Sequence, residues 1–453
     1  MRLTTALLAV ALAAPAAFAQ DDDAAVIRRI YDAALTDSPA FARLRELTER
    51  YPGRLSGSKN LDGAVQWAKG ELEKLGCDRI ELQPVMVPHW ERGAPESVAI
   101  VGGGPLAAAA LGNSAATPDE GVRAAVIEVR SLAELEQLGR DAVAGKVVFF
   151  NRPMDPRHLS PFKAYGEAVD QRSRGPALAA RLGAAAALVR SMTHASDDVP
   201  HTGNTTFPAD VSPIPAAALG ILSADTLSAA LAVDRDATVS LGIHARTLPD
   251  ALSHNVIGEI RGAESPEKII LVGGHLDSWD VSPGAHDDGA GCVQSLEILR
   301  LLKAAGYKPR HTVRVALFTN EENGLRGAAE YARLVGERKE EHLLALETDS
   351  GGFQPRGFNL GNPAGDAHTR AARWLPLLAP YGLNSFQAGT GGADVGPLLR
   401  YGYTVAGLTP DSQRYFDLHH TTRDSLDQVN PRELQLGAAA MAALVYLVDK
   451  SGL

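Results

Sequence analysis

The chain has 453 residues, a formal net charge of −10, and ordinary apolar (45%) and charged (22%) fractions. That length gives ample material for a large core and more than one domain, and the composition excludes a disordered or collagen-like chain. The acidic balance, with no run of basic residues, excludes nucleic acid as a partner, because phosphate binding needs concentrated Lys and Arg.

At the amino-terminus Arg2 precedes an apolar run from Leu3 to Ala17, and Ala17-Phe18-Ala19 fits a cleavage site before Gln20. The run is too short to span a bilayer and no later segment is apolar enough to do so. The expectation is a signal peptide over residues 1–19 and an exported, soluble mature protein, secreted or periplasmic, with no membrane partner. The two cysteines, Cys77 and Cys292, are expected to be free thiols.

Ala24 to Thr48 has helical periodicity, with Ser38 and Pro39 as N-cap and first helical position. After a loop at Tyr51–Ser58, helix resumes from Asn60 to Leu75 and stops at Gly76. Ile80 to Val87 alternates as a strand, placed at a sheet edge because Pro84 cannot donate to a ladder. Residues 20–97 thus open a main domain. From residue 98 to 248 the texture changes to short strands rich in Ala and Gly, including Gly145–Phe150, Gly183–Val189, Pro213–Leu219 and Ala237–Ile243. This segment is expected to be an inserted domain.

Residues 249–453 resume the main domain. Strands at Asn255–Ile260, Ile269–Gly273, Thr312–Thr319, Leu343–Glu347 and Thr404–Leu408 alternate with helices at Gly289–Ala304, Leu325–Val335, Asp366–Leu378 and Arg432–Val448. The fold class is therefore α/β, a mostly parallel sheet with helices on both faces.

Four stations in this half put ionisable residues at the carboxyl end of an apolar strand, where open α/β folds hold their ligands. The first is Gly273-Gly-His275-Leu-Asp277-Ser-Trp-Asp280, running on to His286-Asp287-Asp288-Gly. The others are Asn320-Glu321-Glu322-Asn-Gly, Glu347-Thr-Asp349-Ser-Gly-Gly and Asp417-Leu-His419-His420-Thr-Thr-Arg-Asp424. Alone, each has a plainer meaning: Asp287-Asp288 as a helix cap, Asp349 as a turn residue, the others as solvated loop. Together, so many carboxylates at one edge without cations would cost several kcal/mol. A mixed His and carboxylate set suits Zn²⁺ or a similar first-row ion better than Ca²⁺. Asp277, one residue beyond His275, is placed to orient the imidazole rather than to ligate.

The five ordered motifs resemble the co-catalytic di-zinc exopeptidase family of bacterial leucyl aminopeptidases and glutamate carboxypeptidase, and within it the carboxypeptidase Q type. The resemblance implies two Zn²⁺ per chain. His275, Asp287 and Asp349 would hold one and His420, Asp287 and Glu322 the other, with Asp287 bridging and Glu321 as general base. The choice of His420 over His419 rests on the resemblance alone, and His419 occupies a place where relatives often carry tyrosine; it is a candidate donor to the reacting oxygen. The implied activity is hydrolysis of dipeptides or short peptides with a free amino-terminus, through a zinc-bridging hydroxide. A broader aminopeptidase on longer peptides and a non-catalytic peptidase-like binding protein are the alternatives. The segment at 98–248 resembles a protease-associated domain, and a homodimer is implied. Asp394, in a Gly-rich loop, is a candidate for a substrate ammonium or a mere turn residue; Arg414 and Arg423 are candidates for a carboxylate.

Overall fold

In a computed structural model, described for the backbone of residues 14–453 and for side chains from Asp23 onward, the chain forms two eight-stranded sheets. The leader expected over residues 1–19 lies outside the described residues through residue 13.

The main sheet contains β1 (Arg79–Glu91), β2 (Arg246–Ile260), β3 (Ser265–His275), β4 (His311–Phe318), β5 (Glu341–Glu347), β6 (Pro355–Gly361), β7 (Ser385–Ala388) and β8 (Val405–Pro410). Their order across the sheet is β1-β2-β4-β3-β5-β8-β6-β7. The central strands β4, β3, β5 and β8 are parallel. β1 with β2, β2 with β4, and β6 with β8 pair antiparallel. The expected mostly parallel sheet is thus a mixed one with a parallel centre. β6 and β7, bounded by Pro355, Gly361 and Gly389, escaped the sequence reading because tertiary pairing and not local propensity makes them strands. β1 sits at the edge, as Pro84 requires.

Both faces of the centre are buried, which is why its strands read as continuous apolar runs. Along β3, Ile270 and Val272 point to one face while Ile269 and Leu271 point to the other. The first face is covered by helices α1 (Ala14–Thr36), α2 (Ala40–Arg50), α3 (Lys59–Leu75), α4 (Ala290–Ala304) and α6 (Pro431–Ser451); α5 (Arg326–Arg338) covers the second. The helical pattern over Ala24–Thr48 forms two helices that meet at Ser38-Pro39, where a helix start was expected; Ser38 Oγ accepts the Ala40 N–H at 3.2 Å and α2 begins one residue after Pro39. The helix expected over Asp366–Leu378 is likewise three short turns, interrupted before Pro376. Asn430 caps α6 by accepting from Arg432 and Glu433, with Pro431 at its first position.

Residues 97–242 carry the second sheet, whose strands include Val122–Val129, Val147–Phe150, Ala186–Arg190, Ala216–Leu219 and Thr238–Gly242. It is fixed to the main sheet by Trp279, from the loop after β3, which packs with Leu55, Trp90, Ala110 and Ile243. A Cβ on Gly112 would come 2.2 Å from the Trp279 ring, so glycine is required at that approach. Arg92 clamps the same loop by donating to both oxygens of Asp280, at 2.9 and 2.6 Å. Cys77 and Cys292 are free thiols. Among the described residues no helix is long and apolar enough to cross a membrane.

Candidate metal centre

The site stands where β3, β4, β5 and the 415–424 loop end together. β3 ends at His275, and the next turn brings the Asp277 carbonyl to 3.0 Å from His275 Nδ1. A carbonyl only accepts, so Nδ1 carries a proton, and Nε2 is the nitrogen turned toward the acids. Nε2 lies 3.1 Å from Asp287 Oδ1 and 3.5 Å from Asp349 Oδ1. The Asp277 carboxylate was expected to orient His275; its nearest oxygen is 3.8 Å from Nδ1. It accepts instead from the backbone N–H groups of Glu321, at 3.0 Å, and Glu322, at 3.3 Å. The backbone carbonyl fixes the imidazole because the chain must turn there, and that frees the acid to hold the loop after β4.

On the far side of Asp287 a second imidazole is held the same way. His420 Nδ1 lies 3.3 Å from the Thr202 carbonyl, and Thr202 N–H in turn donates to the His420 carbonyl at 3.0 Å. Its Nε2 therefore faces Asp287 Oδ2 at 3.4 Å and Glu322 Oε2 at 3.0 Å. His419 stacks on His420 with ring centroids 3.5 Å apart and presents Nε2 to Asp287 Oδ2 at 3.7 Å. His420 adopts φ +62°, and Asn320, just before the Glu pair, adopts φ +65°. Each such residue costs about 1–2 kcal/mol, which the surrounding hydrogen bonds offset to aim these side chains.

Asp287 is itself positioned: Asp424 accepts the backbone N–H of His286 at 2.6 Å and of Asp287 at 3.0 Å. Asp288 turns away, accepting from His275 N–H and Gly291 N–H at 3.0 Å each and so capping α4. His286 stacks on Phe353 and accepts from Gly352, outside the cluster.

Two sets of groups bring ligand atoms within 4.8 Å of one another here: His275, Asp287 and Asp349, and Asp287, His419 and His420. Asp287 Oδ2 and Asp349 Oδ1 are buried without a hydrogen-bond partner. Imidazole Nε2 atoms and buried carboxylate oxygens converging from several strand ends fit a divalent cation on each side of Asp287. Without one, burial drives the acids up. Glu321 is pushed up to about 8 by burial, with Asp349 adding to the shift, Glu322 is raised by burial and by Asp287, and His419 falls to about 3 through burial.

These groups line a cavity of about 470 Å³. Its roof comes from two short helices between strands of the second sheet, Pro161–Ala168 and Asp170–Ser173: Phe162, Tyr165 and Arg172 line the cavity with Glu321, Glu322 and His420. Arg172 is 6% exposed and enters no ion pair among the described residues. It donates to Tyr165 Oη at 2.7 Å and to the Thr202 carbonyl at 3.2 Å, and its Nε–H has no acceptor. Sequence reading missed Arg172 and Tyr165, because a lone basic or phenolic residue in an Ala- and Gly-rich stretch carries no pattern. It looked for a carboxylate partner in Arg414 and Arg423 instead. Arg423 pairs with Asp197 at 2.6 Å and Arg414 reaches only Gln428; both stay solvated. Asp394 is 1% exposed, lines neither this cavity nor its neighbour, and donates its backbone N–H to Glu347 at 2.9 Å.

Comparison with known proteins gives a consistent picture. Residues 255–445 match the model of peptidase family M28. Carboxypeptidase Q from Bos taurus is 35% identical over 413 residues, covering 90% of this chain and 85% of that one. The Homo sapiens protein of that name is 35% identical over 415 residues, with the same coverage. The crystal structure of a peptidase M28 precursor from Shewanella amazonensis superposes with a TM-score of 0.91 at 33% identity, over 96% of this chain and 98% of that one. A zinc aminopeptidase from Bacillus subtilis shares the fold, with a TM-score of 0.65 at 21% identity over 91% of this chain and 96% of that one.

Proposed function

Because this chain belongs to peptidase family M28, we propose that it is an exported di-zinc exopeptidase that hydrolyses dipeptides or short peptides bearing a free amino-terminus. The observation that carries the reading is Asp287, whose two oxygens each face the Nε2 of a different histidine, at 3.1 and 3.4 Å. His275, Asp287 and Asp349 would hold one ion, and His420, Asp287 and Glu322 the other. His420 is preferred to His419 because it alone also meets Glu322. When bound, the ions supply Lewis acidity to the scissile carbonyl and acidify the attacking water.

The chain's own groups do the rest. Glu321 stands beside the ligand Glu322 on a loop held by Asp277, and lines the cavity. A carboxylate beside the metal ligands and facing the cavity is placed to act as a general base. It takes the proton of the attacking water and returns it to the nitrogen of the departing amine. His419 Nε2 and Tyr165 Oη border the same space as candidate donors to the developing oxyanion.

Arg172 favours short substrates. A buried guanidinium without an acid partner is costly, and the terminal carboxylate of a dipeptide seated at the metal centre supplies the missing anion, bidentately if geometry permits. A longer peptide would leave it unmatched, so the broader aminopeptidase is the second reading. The intact acid and imidazole set favours an enzyme over a peptidase-like binding protein. The second sheet is taken as a protease-associated-like insertion. The test is hydrolysis of a dipeptide panel, with and without amino-terminal blocking, before and after chelation. Chelator-sensitive cleavage confined to unblocked dipeptides is expected; no cleavage by zinc-loaded protein would refute the reading.

A further inference from the structure

Glu347, the last residue of β5, is 1% exposed. Along a strand, side chains two residues apart share a face, about 6–7 Å from one another. Glu347 and Asp349 accordingly both line a second cavity, of about 410 Å³, which shares Asp349 and Phe162 with the metal-centre cavity. The other walls of this second cavity mix the polar side chains of Asn359, Gln387, Thr409 and Ser412 with the apolar ones of Leu408 and Pro410.

The Glu347 carboxylate is fixed but only half used. Its Oε2 accepts the N–H groups of Asp394, at 2.9 Å, and Val395, at 2.8 Å. Its Oε1 is buried with no hydrogen-bond partner, and both oxygens of the neighbouring Asp394 are in the same state. Neither acid enters an ion pair among the described residues. Gly392 leaves room for the arrangement: a Cβ there would come 2.3 Å from the Glu347 carboxylate carbon. Three unmatched carboxylate oxygens in one buried place are costly unless a cation arrives with the ligand. The groups with the spacing of a metal site lie elsewhere among the described residues, which favours an organic cation over a bare metal ion.

We propose that Glu347 is a specificity-determining residue whose Oε1 receives the α-ammonium of the substrate's amino-terminal residue, with that residue's side chain entering this second cavity. The proposal rests on the exopeptidase reading above. An α-ammonium lies two bonds from the scissile carbonyl carbon. Glu347 ends the strand two residues before Asp349 and lines the same cavity, which puts it within reach of that ammonium when the carbonyl sits at the metal centre. The two backbone donors keep the carboxylate from swinging to meet any other charge.

The experiment compares kcat/KM for a dipeptide and its N-formyl derivative in zinc-loaded wild-type enzyme and in E347Q, E347D and G392A. Zinc content and thermal unfolding are measured on each. E347Q keeps the oxygen that accepts the two N–H groups and removes only the charge. The wild-type enzyme is expected to prefer the free amine at least 100-fold. E347Q should cut that preference at least tenfold, mainly through KM for the free-amine substrate. E347D should restore part of it, and G392A, which presses a methyl group onto the carboxylate, should repeat the loss without touching the charge. An unchanged preference in both E347Q and G392A, or equal losses on both substrates, overturns the role of Glu347 while leaving the peptidase reading intact. If zinc-loaded wild-type enzyme cleaves neither substrate, that reading falls and takes this proposal with it.

Discussion

The Asp424 carboxylate lies 3.0 Å from the backbone nitrogen of Asp287 and accepts its N–H. Asp424 is thus a positioning residue for the one side chain that both halves of the metal centre share. Partners of this kind are typically worth 10–100-fold in metal affinity. Asp424→Ala should therefore weaken zinc binding by about that factor, read by competition with a chromophoric chelator. Much of the activity should return at saturating zinc. Unchanged affinity would show that Asp287 holds its place without help.

Glu321→Gln removes the proposed base and leaves the loop intact, since Asp277 holds the backbone N–H of residue 321 and not its side chain. The expected result is a fall in kcat of about 10²–10⁴-fold with zinc content unchanged. Full kcat in a fully loaded variant would remove Glu321 from the mechanism.

Arg172→Gln tests the roof. A hydrogen bond to a charged group is worth about 1.5–3 kcal/mol, or roughly 10–100-fold in kcat/KM for dipeptides. Dipeptide amides, which lack the carboxylate, should lose much less. Equal losses on acids and amides would reduce Arg172 to a support for Tyr165 and the Thr202 loop.

The metal-free protein should also have a characteristic pH profile. Burial holds Glu321 at about 8, and Glu347 and Asp424 at about 7. These values are above those of the unfolded chain, so the folded state keeps protons the unfolded state has released. The resulting stabilisation is present at low pH and lost as pH rises through 7 to 8. His201 and His286, lowered to about 4 by burial, and His419, lowered to about 3, act in the opposite sense. They do so only below about pH 6.5, where unfolded imidazoles take up protons. Between about pH 6.5 and 8 the carboxylates set the slope, and Tm of the stripped protein should fall as pH rises. Zinc-loaded protein should show a flatter profile, because the ions and not protons then balance the acids. Parallel profiles would contradict a cation-dependent site.

How much of this was legible in the sequence depended on the range of each contact. His275, Asp287, Glu322, Asp349 and His420 follow apolar strands or Gly-rich turns, so their convergence at one sheet edge could be read from local pattern. The structure brings all five together. Contacts made by backbone or across long separations could not be read. The Asp277 carbonyl, not its carboxylate, orients His275. Thr202 and Arg172 reach the site from another sheet, with nothing in their neighbours to mark them. Glu347 looks like an ordinary strand-ending residue until its unmatched oxygen is seen. Strands such as Pro355–Gly361 were hidden for a different reason: tertiary pairing, not local propensity, makes them strands.

The most direct test of the account is anomalous diffraction at the zinc absorption edge from crystals of the zinc-loaded protein. The account predicts two peaks, one on each side of Asp287, the first bounded by His275 and Asp349 and the second by His420 and Glu322. A single peak, or zinc bound away from Asp287 with these five side chains left unligated, would contradict it.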